Sequence, residues 1–153
     1  MARIIKKPGD LLRFPLSEAG HHGYCQWLAD GTARVFLAAT AEELTAVEIL
    51  SLPVAFRVWI YKDTPGRYGW EKAGKADIPK EFSQPQRYAK KDAISGALSI
   101  YFEGVETPAT AAEVKGLETA AVWAHPHIVE RLEARLAGRE SMSIRSFRLK
   151  AEL

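Results

Sequence analysis

The sequence predicts an α+β fold: a strongly bent, mainly antiparallel β-sheet, partly barrel-like, with one or two helices packed against it. Three observations carry that expectation. Between residues 9 and 104, apolar and polar residues alternate in short runs separated by Gly-, Pro- and Asp-containing turns. Beyond Gly104 the period lengthens to that of a helix, and a last alternating run follows from Met142 to Leu149. The 153 residues are 47% hydrophobic and 26% charged, the balance of a folded chain rather than a disordered one, and suit a single domain over residues 1–153.

The elements follow in order. Leu12, Phe14 and Leu16 alternate with Arg13 and Pro15, the pattern of a half-buried strand. Tyr24 to Leu28 forms a second strand, and Asp30-Gly31 is a hairpin turn leading into a third, Ala33 to Ala39. Ala41 to Leu50 reads as a short helix ended before Pro53. Val54 to Lys62 is the strongest strand: Val54, Phe56, Val58 and Ile60 make a core face. Ala55, Arg57, Trp59 and Tyr61 make a second face, to be covered by another element or by a partner. Thr64-Pro65-Gly66 turns the chain toward Trp70 and an extended piece ending near Ile78-Pro79. Lys80 to Lys91, interrupted by Pro85, reads as a loop or edge strand. After the Ser95-Gly96 turn, Leu98, Ile100 and Phe102 restore a strand.

In the helical part, residues 110–138, Thr110 and Glu113 have the spacing of a capping box. A longer helix begins at Pro126 and stops at Gly138, with Ile128, Val129, Leu132 and Leu136 as its buried stripe. In the final strand, 142–149, Met142 and Ile144 share one face while Phe147 and Leu149 fall on the other, which predicts a bulge near Arg145-Ser146.

Catalytic and metal motifs are missing. No dinucleotide-binding or phosphate-binding glycine loop, no zincin helix and no nucleophile elbow is present. His21, His22 and Cys25 are the nearest approach to a metal cluster, but adjacent residues of a strand face opposite ways, so the pair cannot both join Cys25. Cys25, the single cysteine, reads as a small packed thiol. His125 and His127 flank Pro126 at the mouth of the long helix; His125 is read as a cap or as solvated, with a general base or a pH-sensitive contact as the other reading. No cofactor or metal is expected. A net charge of +2 does not announce a polyanion binder. No apolar run long enough to span a bilayer and no secretory leader are seen, so a cytoplasmic location is expected.

Four Trp and five Tyr beside charged residues suggest contacts with another protein. An aromatic core is expected to claim three of the four Trp; Trp70, behind the Arg67-Tyr68-Gly69 turn, is the candidate for partial exposure. The stretch from Glu103 to Glu118 is acidic, and that from Arg139 to Lys150 is basic.

The stretches KKPGDLLRFPL, GYCQWL, EILSLPVAFRVWIYKD, the Trp70 stretch, DAISGALSIYFEG and GLETAAVWAHPHIVERL together resemble the immunity protein 26 family of bacterial polymorphic toxin systems. The residues matching the recurring pattern are Gly9, Asp10, Gly23, Tyr24, Arg57, Trp70, Gly116, Leu117, Glu118 and Trp123, and the resemblance spans about Lys7 to Gly138. It implies a cytoplasmic, non-catalytic antidote that binds a cognate toxin domain and blocks it sterically, with no oligomeric state specified. On that reading Leu117 and Trp123 dock the C-terminal helix, and Glu118 and Arg57 either pair or face the partner. The expected partner-binding residues are Arg57, Trp70, Arg87, Tyr88, Glu103, Glu106 and Glu118. Nucleic acid and membrane are not expected partners.

Two other readings are open to the sequence. One is a bent-sheet domain that binds nucleic acid or a small ligand through Lys80 to Lys91 and Arg139 to Lys150, with Tyr88 and Phe147 interleaved. The other is a hydrolase using His125 or His127 with Glu118.

Overall fold

The computed structural model describes residues 6–146. Strands β1 (Asp10–Pro15), β2 (His22–Trp27), β3 (Thr32–Phe36) and β4 (Val54–Ile60) form an antiparallel series in which each strand pairs with the next. The Asp30-Gly31 turn joins β2 to β3; Gly31 sits at φ +84°, a conformation that glycine adopts without steric cost. Strand β5 (Glu71–Lys75) pairs with β1 across a bulge between Leu11 and Leu12. A two-residue strand, β10 (Val122–Trp123), runs parallel to β4 and completes a six-stranded sheet.

The remaining strands form a separate sheet. Strands β6 (Tyr88–Lys91), β7 (Leu98–Phe102) and β8 (Val105–Pro108) make an antiparallel meander, and β9 (Glu118–Thr119) pairs parallel with β6. The α+β class stands, but the strands lie in two mixed sheets that do not close into a barrel. The Lys80–Lys91 stretch also differs from a loop or edge strand. After a 3-10 turn at Lys80–Phe82 it enters β6, which lies inside its sheet between β7 and β9.

Alternation along β1 to β4 sorts the residues of the large sheet onto two faces. Leu12, Phe14, Cys25, Trp27, Val35, Phe56 and Val58 enter the main core, together with Trp70, Trp123, Ile128 and Leu132. Helix α4 (His125–Ala137) covers this face, beginning with Pro at its first turn and ending at Gly138 in the left-handed region, φ +71°. Its buried residues are Ile128, Val129, Leu132 and Ala134; Leu136 is 42% exposed, so the stripe turns away from the sheet before its last turn.

The opposite face divides into three zones. Leu11, Tyr24 and Phe36 meet Ile49 of α1 (Ala46–Leu50) in a second core. That helix is shorter than expected because Thr45 caps it, with Glu48 closing a capping box. Gln26, Arg34 and Arg57 form a polar middle zone covered by residues 76–87. Trp59 forms the third zone, under the small sheet, where its ring stacks on Tyr88 at 4.0 Å.

Two short helices, α2 (Thr64–Arg67) and α3 (Ala111–Val114), fill connections; Thr110 and Glu113 form the expected capping box of the second. Residues 142–146 are helical rather than extended. The physical reason is Glu130, whose carboxylate accepts from the Ser141 hydroxyl at 2.7 Å and from the backbone N–H groups of Met142 and Ser143 at 2.7 and 3.1 Å. It thereby caps a helical turn through a side chain eleven residues earlier than Ser141. Phe147 and Leu149 of the expected strand lie outside the described residues.

A candidate protein-docking groove between the two sheets

Because Phe56, Val58 and Ile60 of β4 enter the main core, the alternating Arg57 and Trp59 face the other way, with Trp59 against the small sheet. On that sheet Tyr88, Tyr101, Glu106 and Glu118 are cross-strand partners and share one face. Trp59 lies flat on Tyr88 and edge-on to Tyr101, with centroids 5.6 Å apart in the latter pair. The chain then crosses from β9 to β10 through Ala120 and Ala121. Two small side chains there leave a groove of about 270 Å³, walled by Trp59, Tyr101 and Val122, with Lys90 at its rim. Tyr61 and Val122, 51% and 42% exposed, extend apolar surface beside it.

Electrostatically the groove is quiet. Lys90 pairs with Glu106, and that hydrogen bond holds the ammonium pKa above its ordinary value. The Tyr88 phenol is pushed up, first by burial and then by the Asp30 charge, so it stays protonated; its hydroxyl is buried with no hydrogen-bond partner among the described residues. The groove offers an aromatic-walled seat for an apolar side chain, with its one lining ammonium, Lys90, held by Glu106.

Of the residues expected at an interface, Trp70, Tyr88 and Arg57 are buried, and Arg57, Glu106 and Glu118 have ion-pair partners within the chain. Trp70, expected to be partly exposed, is 2% exposed. It stacks on Phe14 at 4.7 Å, and its indole N–H donates to Nδ1 of His125 at 2.9 Å. The correction has a simple cause: α4, more than fifty residues away in sequence, closes over it. The core takes Trp27, Trp70 and Trp123, and Trp59 is the tryptophan left at the edge. Tyr88 is 1% exposed, held between Trp59 and its own sheet.

Arg57, 9% exposed, pairs with Asp30 at 2.9 Å, and Glu118 pairs with Arg131 at 2.7 Å. The two family-pattern residues therefore each have another partner. Arg131 in turn lies 4.1 Å over the Phe56 ring and 4.9 Å over Trp123. Of the acidic stretch, Glu106, Glu113 and Glu118 are engaged by Lys90, Thr110 and Arg131. Glu103 is exposed at φ +49° in the β7–β8 turn. Arg87 is exposed, its guanidinium 4.9 Å over the Phe102 ring.

The histidines also have assigned places. His125 neither caps α4, whose N-cap is Ala124, nor sits in solvent. It is half-buried, stacked on Tyr68 at 4.7 Å, and burial pushes its pKa down. It lines a second groove of about 340 Å³ with Leu16, Val129 and Glu133, but Glu133 is bound to Ser17 and Glu130 to the Ser141 hydroxyl and the 142–143 backbone. Cys25 is fully buried and burial raises its thiol pKa. Among the described residues, no three His, Cys, Asp or Glu side chains are grouped to hold a metal ion.

Trp59, Tyr101 and Val122 are not among the site residues expected from the sequence. The available signal was the Arg57-Trp59-Tyr61 face, too apolar to be left in water.

Fold and site together define an α+β protein with an apolar groove at the junction of two sheets. No protein-family model matches the chain, and no curated protein or solved structure matches it either.

Proposed function

We propose that this chain is a non-catalytic immunity protein that binds a cognate bacterial toxin domain and occludes it sterically, acting in the cytoplasm. The observation that carries the reading is the groove at Trp59, Tyr101 and Val122, an open apolar seat bordered by charged groups already paired within the chain. An aromatic anchor site ringed by polar residues is the usual centre of a protein interface, and about 1,600 Å² of contact would extend it over the exposed small sheet. The immunity protein 26 resemblance supports the same reading. The residues that carry it, among them Gly23, Tyr24, Trp70 and Trp123, are buried framework residues here, which leaves the docking surface free to differ from partner to partner.

The test is co-purification of the tagged protein from the organism that encodes it, in parallel with Tyr101→Ala and Val122→Arg variants. A stoichiometric protein that kills cells when expressed alone, and that binds both variants at least tenfold more weakly, is the expected outcome. Equal capture by wild type and variants would move the interface elsewhere. Nucleic acid released by moderate salt would replace this reading with the nucleic-acid one.

A further inference from the structure

Gln26, Arg34 and Arg57 stand side by side in register on β2, β3 and β4, so their side chains rise from the same face of the large sheet. All three are buried, at 0%, 4% and 9% exposure. Two guanidinium charges thus share this row with one carboxylate, Asp30, which is bound to Arg57. Among the described residues, Arg34 has no carboxylate bound to it in this way; the charge that acts on it through space is Glu81, on the turn that covers it. Its Nε donates to Oε1 of Gln26 at 2.8 Å, and its Cζ lies 4.9 Å over the Phe36 ring and 4.7 Å over the Phe82 ring. Those rings favour the charge but do not replace an oxygen acceptor for its N–H groups. Nη2 is buried and has no hydrogen-bond partner among the described residues. A buried donor on a buried charge is a costly thing to leave unmet, and guanidinium N–H groups are the ones that carboxylates engage.

The cover over Arg34 is lightly fixed. Residues 76–87 hold it through Gln26 Nε2 to the Ala76 carbonyl at 2.9 Å, Gln86 Nε2 to the Arg57 carbonyl at 3.3 Å, and the Phe82 ring. Phe82 closes a single 3-10 turn between Pro79 and Pro85, and Glu81, Ser83 and Gln84 around it are exposed. This segment lies between β5 and β6 and belongs to neither sheet.

We propose that Arg34 is the receiving residue of a carboxylate-binding site roofed by Phe82, in which a carboxylate entering beneath the 80–82 turn accepts a hydrogen bond from Nη2. A carboxylate fits the planar guanidinium fork, and Glu81 of the covering turn, which acts on Arg34 through space, is the charge it would compete with. The site is independent of the toxin reading and stands or falls separately.

The experiment titrates acetate against chloride at constant ionic strength, following the thermal midpoint and the Arg34 Nε–H resonance. Wild type is expected to give a saturable rise in midpoint and a shifted resonance; Arg34→Met is expected to give no rise. Phe82→Ala leaves the guanidinium in place and removes the roof, so its half-saturating acetate concentration should fall at least threefold. A short Glu-containing peptide that reproduces the acetate effect identifies a protein side chain as the source; acetate acting where the peptide does not assigns a free small acid. No saturation in wild type, or the same rise in Arg34→Met, overturns the proposal. If Arg34→Met does not fold, an unchanged or weaker acetate response in Phe82→Ala overturns it.

Discussion

Trp70 donates its indole N–H to Nδ1 of His125 at 2.9 Å, across 55 residues of chain, and so fixes the residue before β5 to the first turn of α4. The bond requires neutral imidazole, because a protonated ring has no acceptor at Nδ1. Burial, which pushes the His125 pKa below 6.5, favours the same state. As pH falls below 6.5, the unfolded chain takes up a proton that the native chain resists, so acid favours unfolding until native His125 also titrates. Urea midpoints for wild type should therefore fall between pH 7 and pH 5, and His125→Asn should show a shallower dependence. Trp70→Phe, which keeps a ring against Phe14 and deletes the donor, should cost about 1 kcal/mol at neutral pH.

Glu130 predicts a second, more acidic transition. Burial works against its ionisation, but hydrogen bonds from Ser141, Met142 and Ser143 outweigh it and hold the carboxyl at about 2. Its contribution is complete above the ordinary carboxyl range near 4.5 and is lost as pH falls toward about 2. Glu130→Gln should cost about 1 kcal/mol, the usual penalty for losing a helix cap. Trypsin should also cut faster after Arg145, since the helical turn at 142–146 loses its N-terminal acceptor.

Asp30 is the counterion of a buried arginine. It accepts from Arg57 at 2.9 Å and from both the backbone N–H and the hydroxyl of Thr32. Asp30→Ala leaves the Arg57 charge buried and unpaired, and about 2–3 kcal/mol should be lost, below the full cost of breaking a wholly buried pair because Asp30 is partly exposed. Adding Arg57→Met to Asp30→Ala should recover part of that loss in chemical denaturation.

Gly23 tests packing alone. A Cβ there would lie 2.5 Å from Cζ of Phe14 and 3.0 Å from a Leu132 methyl. Phe14 has no room to yield, being stacked on Trp70. Gly23→Ala should lower stability by about 1–3 kcal/mol, read as a reduced thermal midpoint. Gly31→Ala meets no atom within 4 Å, so its smaller cost should come from φ +84° alone.

What the sequence revealed was local. Alternation located β1 to β4 and β7, Asp30-Gly31 marked its hairpin, and Pro126 and Gly138 bounded α4 to within a residue, since each signal acts on its own few residues. What it concealed was placement between distant elements. Nothing near Trp70 says that α4 will cover it, and the spacing of Met142 and Ile144 reads as a strand because the helix-forming influence is Glu130. The division into two sheets was hidden for a like reason: β9 and β10 are two residues each, too short for any period to register. The groove walled by Trp59, Tyr101 and Val122 lies at that division, so its residues were visible only as an unexplained apolar face.

Those two short strands also bear on how the chain reaches its folded state. Residues 118–123 pair with β6 of the small sheet at one end and with β4 of the large sheet at the other. On the ribosome, both antiparallel meanders emerge before this clasp is synthesised. A nascent chain halted ahead of Glu118 would hold two half-finished sheets with the Trp59 and Tyr88 rings free to part. The final commitment of one sheet to the other thus waits for the C-terminal third of the chain, and these long-range parallel pairings are the contacts that should set the slowest step of folding.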